Sequence, residues 1–388
     1  MKKIIILSIA LLLLIFGCGT NTPISVQSQT NHLITKITTE NNTVTVQTKS
    51  AVNLHFSYRS TDNLSKDYDG YLAGAMTDSI KFSIPIKSNT SNITMTLVVE
   101  NDSSIQDSTI NFTATKTDYS HLEVDFVDIA QGEGNLIITP EGENVVFDGG
   151  FGTHEPPWGQ PGGEDDGSWD GDGVPIMLNY VRSRDINHFT YLIESHSDSD
   201  HYGGVRDIRE ADDMSYDHYF TVQSHENKQV GDFLDLNSNA SVEILNVGVP
   251  NGVDSNDNNS CFVLHVVYGD AEFLLTADAE RSLEQHMIEA NLPLSSDVLK
   301  VGHHGSHTSS SSEFLNAVLN QNNKIAGISF GTGNPYGHPH SLSRFSHYQV
   351  YGTEIPSQSY SGANYHFNCG TIACTTDGKV IVVEYNSQ

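Results

Sequence analysis

Positive charge is what this sequence most lacks. Nineteen Lys and Arg stand against 48 Asp and Glu over 388 residues, a formal net charge of −29. A passive nucleic-acid binder carries a basic stripe, so that class is disfavoured. An acidic surface repels polyanions at long range, yet it leaves room for an enzyme whose metal ions supply local positive charge. Cysteine is scarce as well. The four cysteines, at 18, 261, 369 and 374, include no spacing that suits a structural zinc site. Cys261 lies in an apolar run and reads as a small core residue. A disulfide between Cys369 and Cys374 needs an intervening turn. Extended apolar stretches are missing too. The run at residues 4–16 is short for a membrane span.

That run follows Met1-Lys2-Lys3 and ends in Ile15-Phe16-Gly17-Cys18. A charged start, an apolar stretch and this ending resemble a bacterial lipoprotein signal. The expectation is a signal peptide over 1–17, lipid on Cys18, and a polar tether over 18–31. The protein would then sit in the bacterial cell envelope, anchored to the membrane and facing outside the cytoplasm. A plain secretory signal is the alternative.

Residues 32–118 are rich in Thr, Ser, Asn and Val. Period-two alternation at 43–48, 53–58, 80–84, 93–99 and 108–113 predicts a small antiparallel β-sandwich with no catalytic constellation. Residues 119–388 mix strands with helices, the latter predicted over 174–184, 280–291, 311–319 and 341–350, an α+β pattern. Residues 151–173 are a Gly/Pro/Asp-rich insertion. Its carboxylates suggest calcium, but the spacing does not fit an EF-hand, and a solvated loop near the site mouth is preferred.

Candidate ligands gather where strands end. His196-Ser197-Asp198-Ser199-Asp200-His201 packs four into six residues after an apolar strand. Asp278 ends another strand, His303 and His304 a third, and His338 and His340 follow a fourth. Any one of these is ordinary alone. Together they match the ligand supply of a two-metal site, which commonly shares one carboxylate. Asp278 is the natural bridge.

The order of His-Ser-Asp-Ser-Asp-His, Leu-Leu-Thr-Ala-Asp-Ala-Glu, Gly-His-His-Gly-Ser and Tyr-Gly-His-Pro resembles the metallo-β-lactamase superfamily. Within it the chain looks like the nuclease-type domain of ComEC-like DNA-uptake proteins, over residues 122–388. The resemblance implies an αββα sandwich, here preceded by the small all-β domain, with a binuclear site between the sheets. It implies metal-ligand roles for His196, Asp198, Asp200, His201, Asp278 and the His303/His304 pair. Asp148, in Asp-Gly-Gly, is expected to orient ligands. Four positions depart from the pattern. Glu133 and Gly134 stand where Asp and Ser or Ala are usual, Ala277 replaces Gly, and Gly302 replaces Pro.

Asp198 is a harder ligand than the His common at that place in zinc hydrolases, which favours manganese, with zinc still open. The expected chemistry is hydrolysis by a metal-activated water. Asp200 would orient that water and accept its proton, and His338 would serve the leaving oxygen. Lys300, Ser306 and His340 are weaker candidates for substrate contact or ligand orientation. The expected substrate is a phosphodiester, DNA first. Two alternatives stand: a phosphodiesterase for cell-wall or lipid head groups, like the phosphorylcholine esterases, and a non-catalytic surface DNA-binding or adhesion lipoprotein.

Overall fold

The computed structural model describes residues 26–27, 33–40, 42–60, 67–85, 90–101, 104–115, 121–153, 175–320, 324–360 and 364–386. The signal peptide expected over 1–17, Cys18, nearly all of the 18–31 tether and residues 154–173 of the insertion lie outside them.

The N-terminal part is built on one long strand. Alternation predicts two strands at 43–48 and 53–58, but Thr43–Ser60 is a single strand. No glycine or proline interrupts it, so nothing forces a turn. Instead its register shifts between Gln47 and Val52. A bulge of this kind bends a strand and lets it change sheets. The first half pairs with Ile34–Glu40 and Thr77–Ser83. The second half pairs with Asp67–Leu72 and Thr90–Asn101. The two layers close on Val44, Val46, Ile80 and Phe82 from one side and Leu54, Phe56, Met95 and Leu97 from the other. This is the small β-sandwich.

One sheet carries on past residue 118. Asp67–Leu72 pairs antiparallel with Val380–Asn386. From there the order runs through Thr371–Thr376, Leu122–Phe126, Gly134–Ile138, Asn144–Gly149, His188–Ile193 and Ser215–Phe220. Val380 and Val382 bury their side chains in the sandwich core. The buried hydroxyls of Tyr71 and Tyr351 meet at 2.7 Å, tying the sandwich to the second sheet of the larger part.

That second sheet has seven strands: Ser241–Asn246, Val263–Tyr268, Ala271–Leu275, Val298–Lys300, Ile325–Ile328, Gln349–Gly352 and Tyr365–Phe367. Side-chain alternation shows how the layers stack. In the first sheet Val145, Phe147, Tyr191 and Ile193 join the core shared with the second sheet. Their neighbours Val146, Phe189 and Leu192 face the other way, against Met177 and Val181 of α1 (Ile176–Ser183) and Val205 and Ile208 of α2 (Ser199–Glu210). Leu283 and Met287 of α3 (Arg281–Glu289) and Phe314 and Leu315 of α4 (Ser312–Val318) pack on the second sheet's core. The arrangement is the expected αββα sandwich. The helix predicted over 341–350 is a correction. A short 3-10 turn, Leu342–Phe345, gives way to the strand Gln349–Gly352. Parallel pairing of that strand with Ile325–Ile328 outweighs its local helical spacing. Cys261, Cys369 and Cys374 are all free thiols.

The Asp148-Gly149-Gly150 turn lies directly against α2. Gly204 donates its amide to the Gly150 carbonyl at 2.9 Å. A Cβ on Gly204 would stand 2.0 Å from the Gly149 carbonyl oxygen. Glycine weakens a helix interior, so its presence here reflects the backbone approach. Gly204→Ala is expected to cost about 1–3 kcal/mol, read as a lower urea midpoint. An unchanged midpoint would mean α2 can draw back from the turn without loss.

Candidate metal centre

Every ligand predicted from the sequence sits where a strand ends, on the rim between the two sheets. His196 follows the strand His188–Ile193. α2 starts at Ser199, so Asp200 and His201 occupy its first turn. Asp198 takes the N-cap position, but its side chain makes no capping bond. It turns instead toward His196, with Oδ2 3.4 Å from Nε2. Asp278 follows Ala271–Leu275, and His303 and His304 follow Val298–Lys300. Ala277, His303 and His304 all have positive φ, at 44°, 49° and 50°. Such backbone is strained for side-chain-bearing residues and persists where the surroundings fix it.

Asp278 is the hub. Its Oδ1 faces His201 Nε2 at 3.4 Å and His304 Nε2 at 3.6 Å. Its Oδ2 faces His303 Nε2 at 3.6 Å and His196 Nε2 at 4.0 Å. Asp198 joins the His196 side, and Asp200 joins the His304 side at 3.4 Å. Sorted by the Asp278 oxygen they face, the histidines form two sets, His196 and His303 on Oδ2 and His201 and His304 on Oδ1, with Asp198 beside the first and Asp200 beside the second. The sets adjoin, since His196 and His201 also share one close group of ligand atoms with Asp278. Both His303 and His304 turn Nε2 to Asp278, each at 3.6 Å.

These atoms fit metal ions. The Nε2 atoms of His196, His201 and His304 and Oδ1 of Asp278 are buried with no hydrogen-bond partner. Leaving four polar atoms so close together without partners is costly unless a cation completes them. The opposite ring nitrogens are held. His201 Nδ1 lies 2.8 Å from Asp148 Oδ2, His196 Nδ1 is 2.9 Å from Ser195 Oγ, and His304 Nδ1 donates to the Ser329 carbonyl at 3.2 Å. His303 Nδ1 reaches Thr308 Oγ1 at 3.2 Å. Such contacts fix each ring and present Nε2 to a metal.

Residues 135–327 match the family model of the metallo-beta-lactamase superfamily. The chain carries a metallo-beta-lactamase domain. It is 27% identical over 242 residues to ComE operon protein 3 of Bacillus subtilis, covering 57% of this chain and 30% of that protein. It is 32% identical over 198 residues to competence protein ComA of Neisseria gonorrhoeae, covering 49% and 26%. It is 30% identical over 251 residues to recombination protein 2 of Haemophilus influenzae, covering 62% and 28%. The chain thus spans less than a third of the length of these relatives.

Electrostatics in the metallo-beta-lactamase domain follow from the crowding. Burial pushes the Asp200 carboxyl up, but His304 and His201 outweigh it and hold it at about 2. Asp278 is likewise disfavoured by burial, yet His303, His201 and His304 carry it well below the usual carboxylate range. Burial lowers His201, but Asp278 and Asp148 raise it well above its ordinary value. A cation bound there would therefore displace a proton. His338 goes the other way. Burial and the neighbouring His304 and His303 press it down to about 3. At neutral pH it is an uncharged imidazole, a hydrogen-bond donor rather than a stored acid.

Asp148, expected to orient ligands, spans Ser195 and His201. Its Oδ1 accepts from the Ser195 amide at 2.7 Å while Oδ2 holds His201. Three other residues were expected in substrate contact or ligand orientation. Lys300 is a correction. It is fully buried, with Nζ 2.8 Å from Glu133 Oε2, out of a substrate's reach. Ser306 bonds Thr308 Oγ1 at 3.1 Å, and that threonine holds His303, so Ser306 supports a ligand. His340 Nδ1 accepts from the His307 amide at 3.1 Å, and its ring lies 4.9 Å from that of His338. Glu133 was the unforeseen member. A carboxylate oxygen of it lies within 4.8 Å of ligand atoms of Asp278 and His304. The only signal was its place in the Gln-Gly-Glu-Gly turn, and nothing marked Lys300 as its partner. Glu280, 3.6 Å from His303 Nδ1, was also missed.

Two outcomes follow. Lys300→Met is expected to destabilise by about 3–5 kcal/mol, because it strands the buried Glu133 charge. Adding Glu133→Gln should restore part of that loss in a denaturation cycle; strict additivity would mean the two do not interact. Asp148→Asn should lower divalent-metal affinity by roughly 10- to 100-fold. Chelator competition measures it, and unchanged affinity would remove Asp148 from the ligand scaffold.

Proposed function

We propose that this chain is a metal-dependent phosphodiesterase that hydrolyses DNA outside the cytoplasm. The observation that carries the reading is the paired ligand set around Asp278, with one oxygen turned to each pair of histidines. This suits two ions that share a carboxylate, the arrangement used for in-line displacement at phosphorus. Asp198 and Asp200 add a hard oxygen ligand to each set, which favours manganese over zinc. The names of the relatives, two competence proteins or operon products and a recombination protein, support DNA as the substrate. Lipid attachment at Cys18 would hold the enzyme at the outer face of a membrane.

Bound divalent ions would lower the pKa of a coordinated water and neutralise phosphoryl oxygens. The chain's own residues do the rest. Asp200, ionised and partly open to solvent, orients the water and takes its proton. Neutral His338 donates a hydrogen bond to the departing oxygen. Asp148 keeps His201 from rotating, and Thr308 does the same for His303.

The charge of −29 supports a second reading. A small head-group diester, as in phosphorylcholine esterases, meets less long-range repulsion than a polyanion does. A panel of labelled single- and double-stranded DNA and bis-p-nitrophenyl phosphate, with and without manganese, separates the readings. DNA cleavage is expected. Cleavage of the small diester alone moves the assignment to head groups, and fewer than one metal per chain by elemental analysis favours a binding protein. Asp200→Ala should abolish turnover while the thermal transition remains. Retained metal-dependent turnover in that variant sinks the role of Asp200.

A further inference from the structure

The loop that carries His338 also carries Tyr336, which none of the chemistry above uses. The loop is held from inside. Asn334, 7% exposed, donates to the Gly331 carbonyl at 2.8 Å and to the His338 carbonyl. It accepts from the His338 amide at 2.8 Å. This clamp closes a tight loop, and Tyr336 is displayed on it at 56% exposure, more than any other Tyr or Phe among the described residues. The ring stacks on His338, with centroids 5.6 Å apart and planes at 28°. His338 in turn lies 5.3 Å from His303 and 6.1 Å from His304. Burial, then the charges of Asp200 and Asp198, push the Tyr336 hydroxyl up, so the side chain lies within electrostatic reach of both ligand sets. A large ring kept in solvent adds little to folding. A ring kept there by a buried clamp, one aromatic step from metal ligands, has a surface to offer.

We propose that Tyr336 is a stacking platform for the nucleobase beside the scissile phosphodiester. The inference rests on the phosphodiesterase reading. Stacking suits this site because it needs only a flat face and accepts any base. It also needs no basic residue, which this acidic chain has few of. A quaternary ammonium is held by a cage of several rings, whereas Tyr336 is 56% exposed and the described ring stacked on it is the partly covered imidazole of His338.

The test compares thymidine 5′-(p-nitrophenyl phosphate) with methyl p-nitrophenyl phosphate, which share leaving group and charge and differ in the base. In Tyr336→Leu the ratio of their KM values, thymidine ester over methyl ester, should rise on the order of 10- to 100-fold. Tyr336→Phe should keep the wild-type ratio, since the ring remains. An unmoved ratio in the Leu variant overturns the proposal. So does a loss specific to p-nitrophenylphosphorylcholine, which would assign the ring to a cation. A readout without turnover separates this from the wider reading. A single-stranded oligonucleotide bearing 2-aminopurine should be quenched on binding to the manganese-loaded wild type and not to the Leu variant. If neither ester is cleaved, the phosphodiesterase reading falls and quenching alone decides the platform. Absence of quenching by the wild type overturns it.

Discussion

The structure depends on one buried carboxylate being shared by four histidines. Asp278 is 2% exposed, and no lysine or arginine lies among its close partners. A lone charge so placed would protonate or unfold its surroundings. The histidines around Asp278 prevent that. They hold it ionised even without a metal, and three of them keep unpartnered nitrogens turned inward. The same crowding explains the strained backbone at Ala277, His303 and His304, because no relaxed strand end would bring all these rings onto one carboxylate.

The centre is stiffened from beneath by a second charge system. Glu133 and Lys300 pair at 2.8 Å, both fully buried. Asn135 adds a hydrogen bond to Glu133 at 2.9 Å. Pairs of this sort contribute little net stability, but they fix geometry strongly because no other arrangement satisfies both charges. Glu133 also donates its amide to the Asp200 carbonyl at 2.9 Å. The Gln-Gly-Glu-Gly turn is thus the floor on which the first turn of α2 rests, and Gly132 is needed there, since a Cβ would stand 2.4 Å from that carbonyl.

The ligands were legible in the sequence because metal binding demands rare residue types at strand ends, and His196 to His201 concentrates four of them. The alternating strands were legible for the same reason of periodicity. What escaped was set by partners distant in sequence. Lys300 in an apolar strand gave no hint that its charge meets Glu133, 167 residues away. The 341–350 segment has helical spacing, yet a neighbouring strand claims it. Thr43–Ser60 reads as two strands because a bulge and a turn leave similar traces in composition.

The last strand has a further consequence, for how the chain is made. Val380–Asn386 fills the place between Asp67–Leu72 and Thr371–Thr376. A chain synthesised from its N-terminus exposes the Asp67–Leu72 edge long before its partner exists, and unpaired edges invite pairing with other chains. The sandwich can be completed only after the residues between these strands, more than 300 of them, have been made. Its folding is therefore gated by the hydrolase that follows it, and slow closure of this long-range seam is the step at which a chaperone would matter most.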